Sequence, residues 1–196
     1  MDKLNIAFKL FDDYNKQDPR SFIWNDISYP QEYFFALKLY EWVLKLAPTA
    51  GDELLLASRS QHIGRWEILR ESYPDGREAY LKWRKDLAQH HAEITARLMI
   101  DAGYDEGQIN HVKQIILKKR IKADPEVQTM ENALCLVFLQ FQYEDFRKKY
   151  EAEPEKLINI LRKSLMKMDQ NGRGFALKLT YTEPGSQLIQ RAVESL

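Results

Sequence analysis

"ALCLVFL", residues 133–139, has no polar side chain at any position. At 3.6 residues per turn, such a run leaves no side of a helix for water, and a helix that is apolar all round has to be enclosed by other elements. Asp124 and Pro125 upstream make an N-cap and first-turn pair, so a helix is expected from there to about Tyr150. Its stretch around 126–148 reads as the buried central helix of a bundle. Glu131 and Asn132 stand at the polar mouth of the apolar run.

Working outward, the glycines and prolines fall between periodic segments, which marks helices joined by short turns. Helices are expected over about 3–16, from Ser28 near Pro30 to Pro48, over 51–65, 77–102 with Gly103 as C-cap, 105–121, 154–168 and 184–195. "SYPDG", 72–76, and "NGRG", 171–174, read as turns, and "LKLTYTEP", 177–184, is the one place where a strand is conceivable. No alternation of strands with helices is visible, so the fold class is all-α. A single domain over 1–196 is expected, with a core at about 30–145 and the C-terminal helices of 154–196 packed on it.

Bulk composition excludes several classes of function. Lys plus Arg equals Asp plus Glu at 29 each, so no global field favours nucleic acid. The basic run "LKKRIK", 117–122, reads as a solvated helix end, where the helix dipole favours cations. The one cysteine, Cys135, lies in the apolar run and reads as a structural thiol; it allows no intramolecular disulfide and fits a reducing compartment. The acidic N-terminus is unlike a signal peptide, and no apolar stretch reaches the ~18 residues of a membrane span. A cytoplasmic protein without nucleic-acid or membrane partners is expected.

"SRSQHIGRW", 58–66, concentrates the polar chemistry. On a helix, Leu55, Arg59, His62 and Trp66 would share one face that turns polar toward its end. In the 77–102 helix, Tyr80, Trp83, Leu87, Ile94 and Leu98 form an apolar stripe, with His91 nearer its centre than His90 and Arg84 on the same flank as His91. Two helices thus each offer an inward histidine beside an arginine. His62, His91, Arg59, Arg65 and Glu131 are expected around one cavity, with His90 and His111 less buried. Imidazoles can bind metal or move protons, and guanidinium forks suit phosphate or carboxylate. Tight metal-ligand spacings such as HExxH or CxxC do not occur.

The order of these segments resembles HD-domain phosphohydrolases. "FFALKLYEWVLKLAPTAGDELLLASRSQHIGRW" is similar to that family's first helix and His-Asp segment. "HHAEITARLMIDAGYDEGQINHVKQIILKKR" is similar to the helix that opens with a histidine, and "VQTMENALCLVFL" to the late helix bearing an aspartate. The chain also resembles a bacterial family of small proteins carrying the signature read here as "QHIGRW", 61–66. The resemblance implies an all-helical, HD-like fold and metal-dependent hydrolysis of a phosphorylated compound. His91 matches a family histidine. Gln61 and His62 replace the His-Asp pair, Glu32 or Tyr33 stands at the first histidine, and Asn132 at the late aspartate.

Three readings follow. The first is a small-molecule binder whose His- and Arg-lined cavity, with Arg59, Gln61, Arg65, Trp66, Arg84 and Asn132 as ligand-binding residues, takes an anionic, phosphorylated compound. The second is a divergent phosphohydrolase in which His62, His91 and Glu131 are catalytic and hold one divalent metal ion. The third is a helical protein-interaction module with no small-molecule site. Replacing two aspartates by His62 and Asn132 removes negative charge where cations would sit, which favours the anion.

Overall fold

The computed structural model describes residues 2–196. They form α1 (Lys3–Asn15), β1 (Ser21–Trp24), β2 (Ile27–Pro30), α2 (Gln31–Leu46), α3 (Asp52–Ser60), α4 (Arg77–Asp101), α5 (Glu106–Ile116), α6 (Pro125–Phe141), α7 (Tyr143–Lys149), α8 (Pro154–Lys167), α9 (Gln170–Ala176) and α10 (Glu183–Glu194). Two 3₁₀ turns, Arg65–Glu67 and Arg70–Ser72, join α3 to α4. The architecture is all-α, with one small antiparallel hairpin.

Helix α6 is the pivot. Asp124 caps it by accepting from the Glu126 and Val127 amides, and Pro125 occupies its first turn. Ala133, Leu136 and Leu139 are buried on one side and Cys135 and Val137 on others, because α2, α5, α8 and α9 all pack against this helix. One continuous cluster of buried apolar side chains runs from Ala7 to Ala192.

Several boundaries differ from the sequence reading, each for a local reason. The expected 125–150 helix breaks at Gln142. The break lets the buried Tyr143 donate from its hydroxyl to the Gly185 carbonyl at 2.9 Å, which seats α10. Helix α5 stops at Ile116 rather than 121. Lys118 turns back with φ +52 and its ammonium meets Glu131 at 2.7 Å. "NGRG" lies inside α9, where Asp169 accepts from the Gly172 amide at 2.8 Å.

Segment 177–184 forms no strand. The hairpin lies instead at 21–30, turned by Asn25 and Asp26 at φ +49 and +63. Those two residues tolerate the left-handed region that a two-residue hairpin turn requires. Ser28 lies in β2 and does not cap α2. Pro30 occupies the cap position without a side-chain bond, and Asp18 accepts from the Glu32 amide at 3.0 Å in its place. Among the described residues, no helix is long and apolar enough to cross a membrane.

Candidate functional site

Helix α3 ends at Ser60, five residues before the expected end at Arg65. His62 and Arg65 therefore sit on the turn that follows it and not on a helix face. Gly64 takes φ +70 there, and a Cβ at that position would lie 2.4 Å from Ile94 Cδ1. Only glycine fits both the backbone and the space. The reversal at Gly64 carries His62 and Arg65 to the same side of the turn, against α4.

On α4, His91 is 2% exposed. Its Nδ1 lies 2.6 Å from the Ile63 carbonyl oxygen. A carbonyl only accepts, so Nδ1 carries the proton and Nε2 presents a lone pair. That Nε2 is buried with no partner. The His62 and His91 ring centroids are 5.8 Å apart. Both rings line a cavity of about 490 Å³ with Gln61, Arg65, Tyr80, Trp83, Arg84, Lys85 and Lys118. The other lining residues are Leu81, Leu87, Ala88, Ile116 and Leu117, so no described side chain of this wall carries a carboxylate. This volume lies within the ~300–1,000 Å³ usual for small-molecule sites.

The field in the cavity is positive. Burial, then Arg65, His91, Lys118 and Arg84, hold His62 well below the ordinary imidazole range. His91 is pushed down to about 3, mainly by burial, against the opposing bond to Ile63. Both rings are therefore neutral at physiological pH. Gln61 is 4% exposed; its amide nitrogen donates to the Ile116 carbonyl at 3.1 Å and its Oε1 is left without a partner.

A second cavity of about 510 Å³ lies on the other side of His62 and Arg65. It is lined by Phe22, Phe35, Phe138, Phe141 and Phe146, with Arg20, Glu32 and Lys149 among its polar groups. Glu32 is buried, and its carboxylate lies 3.0 Å from Arg20 and 3.9 Å from both Arg65 and His62. Burial raises its pKa, with Arg65 and Arg20 opposing.

The expected site residues thus divide. His62, His91, Gln61, Arg65 and Arg84 share one cavity. Arg59 does not join them. Its guanidinium pairs with Asp12 of α1 and lies 5.1 Å from the Phe8 ring and 5.4 Å from the Tyr40 ring, because the true axis of α3 aims it at α1. Trp66 packs on Tyr14, ring centroids 5.9 Å apart, outside the cavity lining. Glu131 is set behind the wall, held by Lys118 at 2.7 Å and Lys167 at 3.5 Å. Burial alone would raise its pKa, but the two lysines outweigh it and keep the carboxyl below its ordinary value. Asn132 is a structural joint: its Oδ1 accepts from the Asp169 amide at 3.1 Å and from Gln128 at 3.1 Å, packed on Gly172.

Contrary to expectation, His90 and His111 do not separate from His62 by burial: the side chains of His90, His62 and His111 are 25%, 33% and 43% accessible, and His91 is the one buried histidine. His90 and His111 contact Glu67 at 2.9 Å and Glu126 at 2.6 Å. The donor set does not fit a divalent metal ion. Among the described residues no three His, Cys, Asp or Glu side chains converge, and Glu131, the anionic member of the expected set, already faces two ammonium groups. Cys135 is buried and its thiol is raised to about 12, chiefly by burial, so it is inert as a nucleophile.

Sequence reasoning overlooked Lys118 and Lys85. Lys118 was read with a solvated basic helix end, and the signal that could have separated it was the sequence-distant Glu131 that turns it inward.

Among known families, the one described as Domain of unknown function (DUF4202) matches residues 5–189, a span that includes every residue of both cavities. No curated protein and no solved structure matches the chain.

Proposed function

The chain belongs to the DUF4202 family, whose description names no activity, and from its site we propose that it binds a small anionic, phosphorylated molecule in the cavity between α4, the α3–α4 turn and Lys118. The observation that carries this is the lining itself: Arg65, Arg84, Lys85 and Lys118 with no carboxylate among them. Two of these cations have acids behind them, Arg65 facing Glu32 and Lys118 facing Glu131. After burial, three of these cations, Arg65, Lys118 and Arg84, help to hold His62 deprotonated, as a positive local potential requires. Arginine forks and ammonium groups in a recessed site suit phosphate, because charge-assisted bonds are strong where water is partly displaced.

A thermal-shift titration at matched ionic strength tests the reading. Inorganic phosphate should raise the melting temperature where chloride does not. A site-specific ligand stabilises by about 2.7 kcal/mol at a hundredfold excess over its dissociation constant. Arg84→Ala with Lys85→Ala should abolish the gain while leaving the unliganded melting temperature almost unchanged, since both side chains are exposed. Stabilisation by manganese and none by phosphate would overturn the proposal in favour of metal-dependent hydrolysis.

A further inference from the structure

Two side chains of the cavity wall each carry a buried acceptor that an anion does not account for. His91 Nε2 and Gln61 Oε1 are buried acceptors without partners, on side chains that are 2% and 4% exposed and that both line the cavity. A buried acceptor left unpaired costs about 1–3 kcal/mol. A phosphate dianion offers only acceptors, so it would satisfy the cations and leave these two atoms as they are.

The missing partner has to be a donor, and the cavity restricts which kind. With four cations in the lining, an ammonium donor would be repelled. A neutral O–H fits, because a hydroxyl can donate to an imidazole or amide acceptor and accept from a neighbouring guanidinium or ammonium group. Neither acceptor can turn away to find another partner. His91 is fixed by its Nδ1 bond to Ile63 and Gln61 by its amide bond to Ile116. They are held in one orientation, as a recognition site requires.

We infer that the ligand is a phosphate monoester carrying neutral hydroxyls, of the sugar-phosphate kind, and that His91 and Gln61 read those hydroxyls while Arg65, Arg84, Lys85 and Lys118 take the phosphate. This rests on the anion-binding reading above and names its ligand class. The aromatic wall of Tyr80 and Trp83 suits the flat face of a sugar ring. The Trp83 indole is pinned by its donation to the Ile68 carbonyl at 3.0 Å.

Isothermal titration calorimetry of the full chain decides it, with inorganic phosphate, butyl phosphate, ribose 5-phosphate and adenosine 5′-monophosphate at one ionic strength. Ribose 5-phosphate should bind about tenfold or more tighter than butyl phosphate, which has the ester but no hydroxyls. His91→Phe should remove that preference, bringing the ratio of the two affinities to about one. If this variant fails to fold, the comparison of the two esters on the wild-type chain still decides. Adenosine 5′-monophosphate binding more tightly than ribose 5-phosphate would assign the hydroxyls to a nucleotide, and weaker binding to a free sugar phosphate; both keep the inference. Equal affinity for butyl phosphate and ribose 5-phosphate would overturn it while sparing the anion-binding reading. Binding of none of the four would overturn that reading too.

Discussion

His91 contributes acid sensitivity that can be worked out for one side chain. Its ring is neutral in the folded protein down to about pH 3, whereas in the unfolded chain an imidazole takes a proton near 6.5. Above the unfolded value both states are neutral and the residue contributes nothing to pH dependence. Below it the unfolded state binds the proton and the folded state does not, so stability falls as pH drops from about 6.5 toward 3. The slope is about 1.4 kcal/mol per pH unit, or about 2 kcal/mol lost by pH 5 from His91 alone. Urea unfolding midpoints between pH 8 and pH 5 check this, and a flat profile would show that the ring is not held neutral. Asn132 gives a second expectation. Asn132→Ala leaves the Asp169 amide without its acceptor and Gln128 with the Lys167 carbonyl alone and should cost about 1–3 kcal/mol with no change in phosphate binding; loss of binding at full stability would return it to the site. At this scale helical phase indicated that His91 on α4 faces inward, whereas His62 reaches the same cavity from a turn that phase does not describe. The sequence could not show that Arg59 turns to Asp12, because phase gives a direction on one helix and says nothing of which element stands there.

At the scale of the element, the ends of helices decided what the periodicity left open. The apolar pattern before Ser60 continues smoothly in the sequence, and the helix stops because Gly64 permits a left-handed turn that side chains elsewhere resist. Gly64→Ala should therefore cost about 2 kcal/mol or more, from the positive φ together with the contact at Ile94 Cδ1. It should also weaken phosphate stabilisation by displacing Arg65. A double variant with Ile94→Val should recover stability in part and not fully, because relieving the contact leaves the backbone strain. Full recovery would mean that φ plays no part. The hairpin and the start of α2 teach the same lesson. Asp18, Arg20 and Glu32 form one network: Arg20 donates to both acids at 3.0 Å and Asp18 accepts from the Glu32 amide. Asp18→Ala should cost about 3 kcal/mol, since it leaves the buried Glu32 amide without its acceptor and Arg20 with Glu32 as its one remaining acid. Chemical denaturation checks it, and a neutral effect would show the network to be dispensable. None of this was legible from local pattern, because the cap of α2 comes from beyond the hairpin.

Across the whole molecule, the apolar run at 133–139 was the most informative stretch, and its meaning depends on everything around it. Helices α2, α3, α5, α7, α8 and α9 all contact α6, yet the run is not uniform. Leu136 is fully buried, whereas Phe138 is half-buried and forms part of the wall of the second cavity beside His62 and Arg65. A sequence that is apolar at both positions cannot distinguish a core residue from a cavity wall, since both are dry to the same periodic pattern. The stability effects of truncation should distinguish them. Leu136→Ala leaves a void in close-packed surroundings and should cost about 3–5 kcal/mol, while Phe138→Ala enlarges a space that already exists and should cost about 1–2 kcal/mol. Because the core is continuous from α1 to α10, Leu136→Ala should also lower one shared transition. Far-ultraviolet circular dichroism, reporting on all helices, and tryptophan fluorescence, weighted to Trp24, Trp42, Trp66 and Trp83, should move to the same new midpoint. Two separated midpoints would mean that α8, α9 and α10 unfold apart from the rest, and that the Asn132 and Tyr143 joints do not couple them to the cavity-bearing half.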